Sequence, residues 1–443
     1  MIKKLIGYIC VICLANMFLF VYCINATSTS DSTSDSPKIH AESAILIDAK
    51  NKTILYEKNA HEKYYPASIT KIMTALLSIE NLLPTDVITF SQDAIYGIER
   101  GSSHIGLDID EQITVDQALH ALLLMSANEV ANGLAEEVSG SIENFAIKMT
   151  ERAKELGAKN TNFVNPHGLH DDNHYSTAYD MALITSQIYD HPYFLEIMGH
   201  TTYQIPPTNK TSEIRYLSQQ HGLMNQLRNS LLYRSDVVGG KTGYTDIARH
   251  TLVTIARKGD IDLIVVILKS EKDNLYQDTN ILLDYGFNSY RTVNLNGPNS
   301  IIKSLPMYSV KSGKLYQLAS CSITPEKELN LLINKNVKER DIKTAINLPE
   351  YIELGATKGD VVGTIDYLHN SKIIASNNLI IKNIEYLSSP YATVLPKTNK
   401  IIALANYYWL IALSTILIFL LYIFIRRHYQ HKKRKLKFHR TLK

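Results

Sequence analysis

The chain has 443 residues, 45% of them hydrophobic, and is long enough to form two domains with buried cores. Its formal net charge of +3 is unevenly distributed. Residues 426–443 carry nine Lys or Arg and no acid, whereas residues 27–425 hold 35 basic against 43 acidic residues. A mildly acidic body argues against a nucleic-acid-binding protein, and we expect no nucleic-acid partner.

Residues 1–26 have the features of a secretory signal peptide. Two lysines precede an apolar run from Leu5 to Cys23, and small residues follow that run. Because the run is longer than the usual core of a signal, an uncleaved membrane anchor is the alternative. Residues 27–40 form a Ser- and Thr-rich polar linker.

Residues 41–290 predict one α+β domain. Two β-type runs around "AKNKT" indicate a hairpin, and "SITKIMTALLSIENLL" indicates a buried helix. The stretch "TVDQALHALLLMSANEVANGLAEEVSG" predicts a second helical core element, and an amphipathic helix closed by Gly157 follows it. Further helical segments lead to the strands "HTLVTIAR" and "IDLIVVILKS" and to a closing helix. Because strands lie at both ends, we expect the first and last segments to share one antiparallel sheet.

Residues 291–386 predict a small all-β domain, since short alternating strands replace the helical patterns there. "HNSK" within this region has the composition of a hairpin turn. Residues 387–401 then form a linker.

Residues 402–425 predict a transmembrane helix. Positions 407–425 contain no charge, and their length matches the roughly 20 residues that cross a bilayer core. Aromatic residues stand at the start of this run, and the basic tail 426–443 follows it, which places the tail in the cytoplasm. We therefore expect the cytoplasmic membrane to hold a catalytic body on its extracytoplasmic side.

Three short motifs occur along the predicted catalytic domain. They are Ser68-Ile-Thr-Lys71, Ser126-Ala-Asn128 and Lys241-Thr242-Gly243. Each alone is weak. Their order, together with their predicted positions at a helix start, in a helical segment and on a strand, indicates an enzyme that forms an acyl-enzyme on a serine.

Ser68 and Lys71 are the predicted nucleophile and base. A serine hydroxyl needs a base within hydrogen-bond reach, and residues i and i+3 of a helix lie on one face. Pro66 places Ser68 at a helix N-terminus, where free N–H groups favour negative charge. Burial, and a second cation such as Lys241, would lower the pKa of Lys71 so that it loses its proton.

The other motif residues suit substrate binding and proton transfer. Ser126 can relay a proton to the leaving nitrogen, and Asn128 can hold a substrate amide. Lys241 and Thr242 on a strand edge can bind a substrate carboxylate, and Gly243 lets the substrate lie close to that strand.

We expect the backbone N–H groups of Ser68 and Tyr244 to hold the oxyanion of the reaction. This chemistry requires no cofactor, and we expect none.

The chain resembles the low-molecular-mass penicillin-binding proteins, which are serine-type D-alanyl-D-alanine carboxypeptidases. Beyond the three motifs, the resemblance extends over "LIDAKNKTILYEKNAHEKYYPASITKIMTALL", "LGAKNTNFVNPHGLHDDNHYSTAYDMALI" and, in the β-rich region, "GDVVGTIDY". It implies the α+β fold shared by penicillin-binding proteins and serine β-lactamases. It also implies removal of the terminal D-alanine from peptidoglycan stem peptides through an acyl-enzyme on Ser68, and covalent capture by β-lactams.

Two alternative functions use the same residues: a D,D-endopeptidase acting on peptidoglycan cross-links, and a catalytically idle penicillin-binding scaffold. A β-lactamase is disfavoured because no E-x-x-L-N element lies between Asn128 and Lys241. The sequence also departs from the family at Arg249, where the resemblance leads us to expect glycine. That substitution raises a question about the local strand geometry.

A metal site is a further alternative, because His167, His170 and His174 lie close together with two aspartates between them. Their spacing matches no common zinc signature, so we predict a structural loop and no metal.

Overall fold

The computed structural model describes residues 36–393, except positions 228, 296 and 312–313. The predicted signal peptide, most of the first linker, the membrane span at 402–425 and the basic tail lie outside these described residues. Among the residues that are described, no helix is both long and apolar enough to cross a membrane.

The strands and helices of the described residues are, in chain order, as follows. The strands are β1 (Ser43–Asp48), β2 (Ile54–Lys58), β3 (Val87–Thr89), β4 (Gln112–Thr114), β5 (Thr202–Ile205), β6 (Arg215–Ser218), β7 (Val237–Thr245), β8 (Arg249–Lys258), β9 (Ile261–Ser270), β10 (Tyr290–Leu295), β11 (Lys303–Lys311), β12 (Lys314–Pro325), β13 (Leu329–Asn334), β14 (Lys343–Asn347), β15 (Val361–His369) and β16 (Lys372–Thr393). The α-helices are α1 (Lys71–Asn81), α2 (Gln92–Tyr96), α3 (Val115–Leu124), α4 (Asn128–Ser139), α5 (Ile142–Glu155), α6 (Ala178–Thr185), α7 (Pro192–Gly199) and α8 (Lys272–Ser289).

The chain divides into two compact units. One comprises the chain up to Leu295 together with Asn330–Ile342, and the other comprises Asn296–Leu329 and the chain from Lys343 onward. The sequence predicts a continuous all-β domain over residues 291–386. The segment Asn330–Ile342 belongs instead to the first unit, where β13 pairs with β10.

The first unit is built on a five-stranded antiparallel sheet in the order β2-β1-β9-β8-β7. Strand β1 lies between its hairpin partner β2 and the late strand β9, with Ser43 opposite Leu268. The expectation that the first and last segments share one sheet is therefore confirmed. Strand β7, which carries the Lys-Thr-Gly motif, forms one edge of this sheet.

Helix α1 runs through the interior of the first unit, and its first eight residues are all buried. Apolar side chains such as Ile72, Met73 and Leu76 join a core that extends from the sheet to helices α3 and α4. Burial of a methionine or leucine side chain contributes about 1.5–3 kcal/mol, so this packing fixes the helix start that carries Ser68.

The second predicted helical core element is two helices. Helix α3 ends at Leu124, and α4 begins at Asn128. Between them Ser126 has a φ of +62°, in the left-handed region, which ends a right-handed helix. The prediction that placed Ser126 within a helical segment is therefore wrong, and the break gives Ser126 its position in the site.

The second unit contains a five-stranded sheet in the order β11-β12-β16-β15-β14, in agreement with the prediction of an all-β region. The "HNSK" turn joins β15 to β16, with positive φ at both Asn370 and Ser371, as a two-residue hairpin of type I′ requires. Strand β16 continues to Thr393, which pairs with Leu315. The first part of the predicted linker 387–401 is therefore strand.

Candidate active site

Ser68 lies in a 3₁₀ turn, Ala67–Thr70, that leads directly into α1. The turn begins at Ala67, whose φ of +50° is strained for a residue with a side chain. Ser68 faces a cleft of about 770 Å³. The sequence prediction of a serine at a helix N-terminus is confirmed.

Lys71 is fully buried one turn after Ser68. Its Nζ lies 3.2 Å from Ser68 Oγ, 2.6 Å from Asn128 Oδ1 and 2.6 Å from the carbonyl oxygen of His167. Burial first, and then the positive charge of Lys241, hold the pKa of Lys71 well below its usual value. Both effects favour the neutral amine.

The three contacts match the bonding capacity of a neutral amine. Such an amine has two N–H donors and one lone pair. When the two short bonds to Asn128 and His167 use the donors, the lone pair remains for the Ser68 hydroxyl at the longer distance of 3.2 Å. This arrangement allows Lys71 to accept the serine proton.

Ser126 and Lys241 form a second serine–lysine pair. Lys241 Nζ donates to Ser126 Oγ at 3.0 Å and to the carbonyl oxygen of Thr242 at 2.7 Å. Lys241 is 1% exposed, and burial lowers its pKa to about 7. Near pH 7 Lys241 therefore exists in both its ammonium and its neutral form.

Gly243 is required by a close approach of two backbones. A Cβ at this position would lie 2.8 Å from the backbone nitrogen of Ser68, 3.1 Å from that of Ile69 and 2.4 Å from Thr251 Oγ1. The sequence argument assigned this glycine to substrate clearance. The contacts within the protein give it a second role, because edge strand β7 packs directly against the turn that carries Ser68.

Tyr244 follows Gly243, so its backbone lies on the same edge strand next to the Ser68 turn. Its side chain is 49% exposed, and its hydroxyl donates to Asp246 Oδ1 at 2.9 Å. That the backbone N–H of Tyr244 joins the Ser68 N–H in binding an oxyanion stays a prediction from the sequence.

The structure brings all eight predicted site residues together. Six of them line the cleft: Ser68, Ser126, Asn128, Thr242, Gly243 and Tyr244. The remaining two, Lys71 and Lys241, are buried and bonded to the cleft serines. Residues distant in sequence thus form one site.

Sequence reasoning missed the part played by the segment 166–174. The carbonyl oxygen of His167 accepts from Lys71, and that of Pro166 accepts from the Thr74 hydroxyl at 2.6 Å. Gly168, with φ +84°, packs so closely that a Cβ would clash with the carbonyl oxygen of Ala67. In the sequence, only the glycine between His167 and Leu169 indicates this close contact with Ala67.

The three histidines of this segment have separate partners. His174 Nε2 lies 2.8 Å from Thr70 Oγ1, and the backbone N–H of Leu169 donates to His167 Nδ1 at 3.1 Å. His170 Nε2 lies 3.3 Å from Asp172. Across the described part of the chain, no group of three or more His, Cys, Asp or Glu side chains is arranged to hold a metal ion.

Arg249 occupies a backbone position suited to glycine, with a φ of +57°. Strands β7 and β8 nevertheless pair without a register shift from Gly239 to Thr245, and Thr245 lies opposite Arg249. The guanidinium makes two bonds to Glu271, at 3.2 and 2.7 Å. The hairpin geometry questioned from the sequence is therefore retained with arginine in place.

A serine at a helix start, a buried lysine one turn later, and a second serine bonded to a lysine of the edge strand define an active-serine enzyme of the penicillin-binding class. A profile of the D-alanyl-D-alanine carboxypeptidase family matches residues 29–272. The chain belongs to this family.

Individual relatives agree with this assignment. The chain is 31% identical over 393 residues to D-alanyl-D-alanine carboxypeptidase DacF of Bacillus subtilis (strain 168), covering 87% of this chain and 96% of that protein. It is 33% identical over 384 residues to DacC of Escherichia coli (strain K12), covering 83% and 90%. Penicillin binding protein 5 from Haemophilus influenzae has a similar structure, with a TM-score of 0.66, 27% identity and coverage of 79% of this chain and 98% of that one.

Proposed function

We propose that the chain is a serine-type D-alanyl-D-alanine carboxypeptidase that removes the terminal D-alanine from peptidoglycan stem peptides, with Ser68 as its nucleophile. The observation that carries this proposal is the fully buried Lys71, whose Nζ lies 3.2 Å from Ser68 Oγ while two acceptors at 2.6 Å hold it in place. Family membership supports the same activity.

Acylation begins when Ser68 Oγ attacks the carbonyl carbon of the penultimate D-alanine. Lys71 takes the hydroxyl proton, and the negative charge that develops on the carbonyl oxygen is held by the backbone N–H groups of Ser68 and Tyr244. The amide bond then breaks. Lys71 passes the proton that it took, through the Ser126 hydroxyl, to the leaving D-alanine amine, and Ser126 stays bonded to Lys241. Lys71 is then neutral again. It accepts a proton from the water that attacks the acyl carbonyl carbon and returns it to Ser68 Oγ as the acyl bond breaks.

The terminal carboxylate of the substrate binds Lys241 and Thr242 on the edge strand. Two Lys241 donors are bonded within the protein, and the ammonium form has one more N–H to offer. A β-lactam presents a similar carboxylate and amide. Opening of its ring by Ser68 leaves the amine tethered, so the same site explains covalent inhibition.

Release of D-alanine from a pentapeptide by the full-length protein in detergent tests this function. We expect Ser68→Ala and Lys71→Arg to lose activity, because the first removes the nucleophile and the second keeps the charge but cannot give it up. Ser376→Ala, an exposed serine in the second unit, is the control and should retain full activity. D-alanine release by Ser68→Ala at the wild-type rate would refute the proposal.

Digestion of purified muropeptides distinguishes this activity from endopeptidase action on cross-links. We expect pentapeptide stems to lose one D-alanine while cross-linked dimers remain. Conversion of dimers to monomers at a comparable rate would favour the endopeptidase.

We also propose that the body lies outside the cytoplasmic membrane on a C-terminal anchor. The uncharged segment 407–425 and the basic tail 426–443 support this topology. Protease added to intact spheroplasts should remove the body and spare a C-terminal epitope tag. Loss of the tag would contradict this orientation.

A further inference from the structure

The mechanism leaves one buried carboxylate near the site without a role. Glu129 is 1% exposed and directly follows Asn128 in the first turn of α4. Its Oε1 accepts from the backbone N–H of Ile105 at 2.7 Å. Its Oε2 has no hydrogen-bond partner among the described residues. A carboxylate in such a place is costly unless its charge interacts with something.

The neighbouring residue connects Glu129 to the general base. Asn128 Oδ1 accepts from Lys71 Nζ at 2.6 Å, and Glu129 is the next residue of α4. Lys71 and Glu129 are both buried, and charges interact strongly in such a water-poor interior. A negative Glu129 favours the ammonium form of Lys71 and opposes the effect of burial.

The other ionisable groups around this pair differ in their effects. Lys241 on β7 favours the neutral form of Lys71. His167 and His174 on the segment 166–174 have pKa values lowered by burial, that of His174 to about 3, so both are neutral near pH 7. Burial raises the pKa of the Glu129 carboxyl, whereas the Ile105 N–H and then His104, in the loop before β4, favour its ionised form. Glu129 is thus the group that opposes burial and Lys241 in setting the charge of Lys71.

Glu129 also holds one wall of the cleft. The backbone N–H of Asn128 donates to the carbonyl oxygen of Ser103 at 2.8 Å, and Glu129 accepts from Ile105 two residues later. Ser103 lines the cleft beside Ser68. The first turn of α4 therefore joins the general base to the loop that faces the substrate.

We propose that Glu129 is a positioning residue that sets the pH range in which Lys71 acts as base and anchors the Ser103–Ile105 wall of the cleft. The proposal rests on the proposed function, since it requires Lys71 to activate Ser68. It extends that function with a residue outside the three motifs.

The test is the pH dependence of acylation by a fluorescent penicillin, measured as a second-order rate constant with the full-length protein in detergent. Glu129→Gln removes the charge but keeps an oxygen that accepts from Ile105. In this variant we expect the acidic limb of the pH profile of the acylation rate constant to move to lower pH by on the order of half a unit. The reason is that loss of the negative charge favours the neutral form of Lys71. Glu137→Gln makes the same charge change at an exposed position of α4 and should leave the limb in place.

Glu129→Ala removes both the charge and the oxygen that accepts from Ile105, so it separates the effect on Lys71 from the anchoring of the cleft wall. It also provides a second neutral variant should Glu129→Gln not fold. We expect it to show the same displacement of the acidic limb of the pH profile and a further fall in the acylation rate constant through loss of the Ile105 contact. An unmoved limb in folded Glu129→Gln or Glu129→Ala, with normal wild-type acylation, overturns the role of Glu129 alone. Absence of acylation in the wild-type protein at every pH overturns the proposed function as well.

Discussion

Replacement of Gly243 by alanine tests the contact between the edge strand and the Ser68 turn. The added Cβ would lie 2.4 Å from Thr251 Oγ1 and 2.8 Å from the Ser68 nitrogen, whereas ordinary van der Waals contact begins at 3.4 Å. Relief of the contact with Thr251 therefore needs a shift of about 1 Å. Thr251 has little freedom, because its buried hydroxyl donates to the carbonyl oxygen of Pro66 at 2.8 Å. We expect strand β7 to move away from Ser68.

A displacement of about 1 Å at a catalytic site can cost on the order of 100-fold in rate. We expect Gly243→Ala to lower the acylation rate constant for a β-lactam by about that factor. The free energy of unfolding should fall by about 1–3 kcal/mol, as for other overpacked positions. Stopped-flow acylation and urea denaturation measure the two effects separately.

Gly239→Ala on the same strand is the matched control. Its Cβ would meet the side chains of Ile255, Met198 and Leu195 at 3.2–3.6 Å, of which Ile255 and Leu195 present terminal methyl groups that can adjust. We expect acylation within about threefold of the wild-type rate. Gly243→Ala acylating as fast as this control would refute the role assigned to the contact.

Burial lowers the pKa of Lys241 to about 7. We therefore expect KM for a peptide ending in D-Ala-D-Ala to rise above pH 7, as the ammonium is lost, while KM for the C-terminal amide of that peptide stays constant. Parallel pH profiles of the two KM values would contradict carboxylate binding by Lys241. Burial lowers the pKa of His221 from 6.5 to about 3. The neutral imidazole therefore makes its full contribution to the free energy of unfolding above pH 6.5. That contribution is lost at about 1.4 kcal/mol per pH unit as the pH falls toward 3. Urea titrations from pH 7 to 4 should show a shallower loss for His221→Asn, and an equal slope would count against a buried neutral imidazole. Glycine adopts the φ of Arg249 without strain and alanine does not, while both lose the bonds to Glu271. Arg249→Gly should therefore melt a few degrees above Arg249→Ala in calorimetry, and the reverse order would exclude strain at this position.

The sequence allowed the catalytic side chains to be predicted because their chemistry restricts residue type. Ser68, Lys71 and Lys241 each need a particular functional group, and the i, i+3 spacing on a helix places the first two together. The sheet was predictable for a similar reason, since β-branched runs at both ends of the domain have few other ways to be buried.

Backbone contributions to the site were not predictable in the same way. Any residue can supply the carbonyl oxygen that His167 offers to Lys71, so no residue pattern marks it. The helix break at Ser126 contains neither glycine nor proline, and its left-handed φ depends on tertiary contacts such as the bond from Lys241. The residue type of Glu129 does not distinguish it from an exposed acid of a helix, because its burial depends on tertiary packing.

The most direct measurement is mass spectrometry of the full-length protein after reaction with penicillin. Peptide mapping should place a single penicilloyl adduct on Ser68, and Ser68→Ala should remain unmodified. Lys71→Arg should acylate more slowly by several orders of magnitude, because it retains the nucleophile without its base. An adduct on another residue, or one that persists in Ser68→Ala, would contradict the assignment of Ser68 as the nucleophile.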